Sequence, residues 1–267
     1  MPYASQMENG RATPGSAPIV IKIGGSTLGT HDTSLADCAA LHAAGQPLVI
    51  VHGGGALVSD WLARLNVPTE FVAGLRKTTA EARDVVVGVL CGVVNKQLVQ
   101  RLAQLGAPAV GLSGIDGGTL TSPQSERGLG FVGDAPVCDP STLTGMLNQG
   151  LLPVVAPIGL RTDQAEILNI NADTAAGAIA TAIGASDLIF LTDVPGILDA
   201  EDSLVTSMDC ADVAQLRAAG TLSGGMLPKV EACLQAAERG AGARIVDGSA
   251  AGAIPVALAG RGGTVVV

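Results

Sequence analysis

Residues 49–60 read VIVHGGGALVSD, a branched apolar run closed by His52 and followed by Gly53, Gly54 and Gly55. Consecutive branched residues suit a strand buried on both faces. Three glycines in a row then cost more backbone entropy on folding than any other triplet. Bare backbone after a strand has two chemical uses: an oxyanion hole for acyl transfer, or a cradle of N–H groups for phosphate.

The acyl-transfer reading also requires a GxSxG elbow and a histidine after the nucleophile in chain order. The nearest stretch, GLSG at 111–114, lacks that spacing, and no histidine follows His52. The phosphate reading finds company in IVIKIGGS at 19–26, a second strand that carries Lys22 and ends in Gly24 and Gly25. In open parallel sheets ligands bind beyond the carboxyl ends of the strands, where exposed amides suit anions. The chain holds no GxxxxGK[ST] P-loop, and GGSTLG lacks the dinucleotide spacing GxGxxG. Either glycine loop alone is an ordinary turn; the pair with Lys22 favours phosphate.

Three further stretches follow the same logic. LNINAD at 168–173 places Asn169, Asn171 and Asp173 before an Ala-rich helix, more polar groups than one N-cap needs. FLTDVPGIL at 190–198 runs from a strand into Asp193 and a Pro–Gly turn. SGGMLPKV at 223–230 sets Lys229 in the first turn of a helix, where a cation opposes the helix dipole and points to an anion nearby.

Around these loops, short apolar runs alternate with longer stretches of helical period, as βαβ units require. Strands are expected at Ile19–Ile23, Leu48–Val51, Ala109–Leu112, Leu152–Ala156, Leu188–Leu191, Arg244–Val246 and Thr264–Val267. Helices are expected at Thr33–Ala44, Leu57–Leu65, Ala80–Leu105, Pro140–Gln149, Ala172–Ile183, Asp209–Ala219 and Pro228–Arg239. The polar stretch between Gly114 and Asp134 reads as a hairpin or excursion. With 267 residues, a single α/β domain of two joined lobes divided near residue 160 is expected after a disordered tail over 1–18. That tail has no apolar h-region, and no run of eighteen apolar residues predicts a membrane span. One Trp, one Tyr and three Phe leave the core to Val, Leu, Ile and Ala. Five scattered cysteines and three histidines form no metal pattern and fit reduced thiols in the cytoplasm. A net charge of −9 speaks against nucleic acid or an anionic membrane as partner.

In order along the chain, KIGG, VHGGG, GLRKTT, GLSGIDGG, LNINAD, LTDVPGIL and SGGMLPK resemble the motifs of the amino acid kinase family, and most closely its acetylglutamate kinases. The resemblance runs from about Ile19 to the C-terminus. It implies an α/β/α three-layer sandwich with a mainly parallel central sheet, the carbamate kinase-like fold. An N-lobe of about 19–160 would bind the amino-acid substrate and a C-lobe of about 161–267 would bind ATP. The implied reaction moves the γ-phosphoryl group of ATP to the side-chain carboxylate of N-acetylglutamate, in arginine biosynthesis. Lys22 and Lys229 would stabilise the transfer, Asp173 would orient both, and the amides around Gly25 and Gly54 would hold the phosphoryl oxygens. Arg76 would grip the substrate α-carboxylate, with Gly54, Gly55 and Asn169 on the remaining polar groups. Gly24, Gly25, Asp193, Val194, Pro195, Gly196, Ile197, Leu198, Thr221, Leu222 and Ser223 would border the nucleotide. Mg²⁺ would ride on the ATP phosphates, with no protein ligand to it.

Acetylglutamate kinases commonly carry a His and acidic residues before the terminal Gly-Thr, whereas IPVALAGRGGT at 254–264 has none. That ending is similar to relatives that phosphorylate carrier-linked aminoadipate in lysine biosynthesis, while GLRKTT and the net negative charge favour the free amino acid. A non-catalytic nucleotide-binding or storage module on the same fold is a third reading, opposed by the presence of Lys22, Lys229 and Asp173. The prolines and glycines of residues 1–18 also argue against the N-terminal helix of arginine-inhibited hexamers, so an arginine-insensitive homodimer is expected.

Overall fold

The computed structural model describes residues 16–24, 33–72, 74–220, 222 and 225–267. Most of the expected tail lies outside them. At its end, Ser16 and Ala17 hydrogen-bond the Gln46 side chain, and Pro18 accepts from the Ser186 N–H.

Among the described residues, eight strands form the central sheet: β1 (Ile19–Ile23), β2 (Leu48–His52), β3 (Ala109–Ser113), β4 (Leu152–Ala156), β5 (Asp187–Thr192), β6 (Ser207–Met208), β7 (Gly242–Asp247) and β8 (Thr264–Val266). Their order is β6–β8–β7–β5–β1–β2–β4–β3. Every pairing is parallel except β7 with β8. From β1 the chain continues to β2 on one side, and from β5 it continues to the strands on the other. The β1/β5 seam is therefore the switch point at which open sheets bind ligands.

Helices cover both faces: α1 (Ser34–Ala43), α2 (Gly55–Arg64), α3 (Ala80–Gln104), α4 (Ser141–Asn148), α5 (Ala172–Ile183), α6 (Cys210–Ala218), α7 (Met226–Ala237) and α8 (Ala253–Leu258). The apolar residues of α1, α2, α3 and α8 pack with Ile19, Ile21 and Ile23, whereas those of α4 to α7 pack with Val20. The two-residue period of a strand makes this division, and by the same parity Lys22 falls on the α5 side. Both clusters draw on both halves of the chain.

Helix α3 spans 25 residues and is apolar enough to cross a membrane by length and composition. Its stripe of Val86, Val89, Leu90, Val94, Leu98 and Leu102 is buried in the core instead. A π-helical stretch, Gly88–Val94, interrupts it.

The stretch from Gly114 to Asp134 belongs to a second, five-stranded sheet, ordered Val132–Gly133, Ile167–Ile170, Ile158–Arg161, Leu120–Ser122 and Val137–Cys138. It delivers the chain into α5. A short hairpin pairs Glu70–Val72 with Leu75–Lys77. Sequence periodicity misses this hairpin because its first strand is wholly exposed, and misses β6 because two residues carry no period.

Helices α5 and α7 cross where Gly177 meets Ala232. A Cβ on Gly177 would stand 2.9 Å from the Ala232 Cβ and 3.3 Å from its Cα. One turn before this crossing lie Asp173 on α5 and Lys229 on α7. Gly177→Leu is expected to force the helices apart and lower the unfolding free energy by about 2 kcal/mol, despite leucine's better helix propensity. Urea denaturation measures it; unchanged stability would mean that the crossing is not close-packed.

Candidate active site

At the carboxyl ends of β1 and β2, Lys22, Asp173 and Lys229 form one ionic cluster. Lys22 Nζ lies 2.8 Å from Asp173 Oδ1, and Lys229 Nζ lies 3.0 Å from Asp173 Oδ2. Lys22 and Asp173 are each only 5% exposed. Burial pulls the Lys22 ammonium below its ordinary value; the Asp173 carboxylate opposes this and the Lys229 charge adds to it. Two cations thus share one anion, and the cluster carries an excess positive charge.

Local sequence places each member. Asn171 caps α5, its side chain accepting from the N–H groups of Asp173 and Thr174. Asp173 then sits in the first turn, where the helix dipole favours a carboxylate. Helix α7 begins at Met226, with Pro228 tolerated in its first turn. The Lys229 ammonium reaches back to the Gly225 carbonyl at 3.0 Å. That carbonyl and Asp173 balance the cation that the sequence leaves without a partner.

Asp173 and Lys22 line a cleft of about 250 Å³ together with Gly54, Gly55, Arg76 and Asn169. Arg76 stands on the hairpin opposite Phe71, so its guanidinium stacks over the Phe71 ring at 4.7 Å. Such cross-strand neighbours share a face. Its Nη2 donates to the Gly55 carbonyl at 2.9 Å and to Ser59 Oγ at 2.7 Å. Its Nη1 is buried and, among the described residues, has no hydrogen-bond partner. An anion entering the cleft would satisfy this donor. Asn169 lies on the second sheet and donates to Thr78 Oγ1 at 3.1 Å. It therefore does not share the helix entrance with Asn171 and Asp173, because the strand ends between them.

Gly54 requires its glycine. Its φ is +153°, and a Cβ there would meet Leu90 Cδ2 at 2.8 Å and Val94 Cγ2 at 3.1 Å. Gly55 opens α2 with no atom near the place of a Cβ.

The residues expected around a nucleotide follow β5. Asp193 and Pro195 are exposed, while Ile197 and Leu222 are buried in the core, so their side chains serve packing. Thr264 Oγ1 accepts from the Ile197 N–H at 2.8 Å and donates to Val205 O at 2.6 Å, tying the turn to β8. Val194, Gly196 and Leu198 lie in this same stretch, and Gly24 directly follows β1, the strand paired with β5. Gly25, Thr221 and Ser223 lie outside the described residues.

Sequence reasoning missed Ser59, Phe71, Thr78 and Asn95. Ser59 follows the glycines inside an ordinary amphipathic helix, and Asn95 lies mid-helix in α3; neither position carries a local signal.

The amino acid kinase family model matches residues 17–247. The chain is 40% identical over 235 residues to an acetylglutamate kinase from Dehalococcoides mccartyi, covering 86% of each chain. It is 45% identical over 243 residues to an acetylglutamate kinase from Gluconacetobacter diazotrophicus, covering 85% of this chain and 77% of that one. Carbamate kinase from Giardia lamblia bound to AMP-PNP superposes with a TM-score of 0.70 at 17% identity, covering 95% and 99% of the two chains. That last likeness concerns the fold alone.

His52 provides a test of the buried framework beneath the cleft. Burial lowers its pKa from 6.5 to about 4, with the Gly53 carbonyl opposing. Between those values the unfolded chain binds a proton that the folded chain refuses, so stability is full above pH 6.5 and falls as the pH drops toward 4. The loss expected from this group is about 3 kcal/mol. Denaturant unfolding at pH 7 and pH 4.5 should show a steeper loss for the native protein than for His52→Asn; equal slopes would contradict a buried neutral imidazole.

Proposed function

The chain belongs to the amino acid kinase family, and we propose that it transfers the γ-phosphoryl group of ATP to the side-chain carboxylate of N-acetyl-L-glutamate, giving N-acetyl-L-glutamyl 5-phosphate. The observation that carries this reading is the Lys22–Asp173 pair meeting, in one cleft, an arginine whose Nη1 has no partner among the described residues, with Lys229 on the second Asp173 oxygen. The cleft thus offers cations to an anionic acceptor and to a polyanionic donor.

The acceptor carboxylate is ionised at neutral pH, well above its reference pKa of about 4.3, and attacks without a general base. A carboxylate oxygen forms the new bond to the γ-phosphorus, the bond to the β,γ-bridging oxygen breaks, and ADP leaves with that electron pair. Positioning and electrostatics supply the catalysis. Lys22 and Lys229 offset the charge spread over the transferring group from its two sides, and Asp173 holds both ammonium groups in register. The amides of Gly25 and Gly54 donate to the phosphoryl oxygens. Arg76 Nη1 takes the substrate α-carboxylate, with Gly54, Gly55 and Asn169 on its remaining polar groups. Gly24, Gly25, Asp193–Leu198 and Thr221–Ser223 border the nucleotide, and Mg²⁺ enters on its phosphates. Substrate and ATP then divide between an N-lobe of about 19–160 and a C-lobe of about 161–267. We place the enzyme in the cytoplasm, in arginine biosynthesis, as a homodimer insensitive to arginine.

Trapping of the acyl phosphate with hydroxylamine tests the reaction. Hydroxamate is expected with ATP and N-acetylglutamate; formation only with carrier-bound aminoadipate, or with no carboxylate, would overturn the assignment. Within that assay the two kinds of cation should separate. Lys229→Ala should lower kcat on the order of 10²-fold with little change in substrate KM. Arg76→Lys should raise the acetylglutamate KM roughly tenfold while kcat stays within a few-fold, because lysine lacks the planar fork.

A further inference from the structure

His52 ends β2 and is completely buried, yet it does not line the cleft. Its Nδ1 stands 2.8 Å from the Gly53 carbonyl oxygen. A carbonyl only accepts, so Nδ1 carries the proton and Nε2 is the acceptor. Nε2 faces Asn95 Nδ2 at 3.2 Å. Asn95, also fully buried, donates to Val154 O at 2.8 Å and accepts from Lys96 Nζ at 3.0 Å, which fixes the sense of its amide. The imidazole is held at both nitrogens by groups on the α3 side of the sheet, and the transfer chemistry uses neither nitrogen.

The consequence lies in the next peptide unit. A trans peptide is planar, so the Gly53 carbonyl and the Gly54 N–H point in opposite directions. Binding the carbonyl to His52, on the α3 side, turns the Gly54 N–H toward the side that carries Lys22 and Asp173. Gly54 lines the cleft there, and among the described residues its N–H donates no hydrogen bond. Gly54 cannot orient this peptide by a side chain of its own, because Leu90 and Val94 occupy that space.

We propose that His52 is a positioning residue for phosphoryl transfer: through its Nδ1–H it fixes the Gly53–Gly54 peptide plane so that the Gly54 N–H aims at the transferring group. The inference rests on the functional reading above, in which that amide holds a γ-phosphoryl oxygen. Asn95 in turn fixes the ring. The arrangement explains why a polar imidazole is buried at a position where an apolar residue would close the strand as well.

Two substitutions divide the ring's functions. In His52→Asn the side-chain amide nitrogen falls near the place of Nδ1 and keeps the donor to Gly53. In His52→Gln it falls near Nε2, so the link toward Asn95 remains and the donor is lost. With ATP and N-acetylglutamate, His52→Gln should lower kcat roughly tenfold or more, a fraction of the 10²–10³-fold found when such a donor is deleted outright. Both KM values should stay within about threefold, and His52→Asn should retain most of the turnover. Affinity for MgADP with tetrafluoroaluminate and N-acetylglutamate, a mimic of the transferring phosphoryl group, should fall in His52→Gln by the same factor as kcat. A purely structural role would lower the folded fraction in thermal unfolding without moving this ratio. Equal losses in the two variants, or a loss confined to KM, would overturn the inference. If His52→Gln does not fold, His52→Asn decides against the native protein, since loss of the tight analogue complex there is contrary to the proposal. Absence of hydroxamate from the native protein would overturn the functional reading first, and the inference with it.

Discussion

The Asp173 carboxylate, bound on one oxygen by Lys22 and on the other by Lys229, is the constraint around which the site is built. Taking ions out of water is costly, and attraction offsets that cost only when geometry is good. The geometry here is assembled from distant parts. Strand parity puts Lys22 on the α5 face, the Asn171 cap starts α5 at the right residue, and the Gly177–Ala232 crossing brings Lys229 to the other oxygen. One negative charge between two positive ones leaves an excess that burial makes expensive. In the proposed reaction an arriving phosphate would relieve it.

The second half of the site depends on the backbone after β2. Gly54 is confined from below by Leu90 and Val94, which belong to the π-helical stretch of α3. The same stretch delivers Asn95 beneath His52. A regular helix would advance these residues by a different angle, and π stretches of this kind recur at functional sites. The apolar core of α3 and the polar framework of the glycine loop are thus one object. A membrane-like composition in this helix reflects its burial against a sheet.

The alternation of strands and helices was legible because the strands in the middle of the sheet, β1, β2, β4 and β5, are buried on both faces and read as apolar runs. The seven main expected strands and seven expected helices all occur, with ends shifted by a few residues. Lys22, Gly54, Gly55, Arg76, Asn169 and Asp173 do meet in one cleft. The unanticipated pieces, namely the exposed hairpin, β6, α8 and most of the second sheet, are short or solvent-facing and carry no period. Spacing groups Asn169 with Asn171 and Asp173, although the strand end at Ile170 separates their positions.

Residue order alone thus determined the fold class, the positions of the glycine loops and the identity of the charged residues, because backbone periodicity and glycine content are local properties. It excluded a serine-hydrolase triad for the simple reason that no histidine follows His52. Only the tertiary structure decided which charges pair, that Arg76 Nη1 is left without a hydrogen-bond partner among the described residues, and that His52 turns its proton toward Gly53. Those outcomes depend on contacts between residues far apart in the chain and on burial, which raises the cost of every unpaired polar group. Neither quantity is written in any local stretch of sequence.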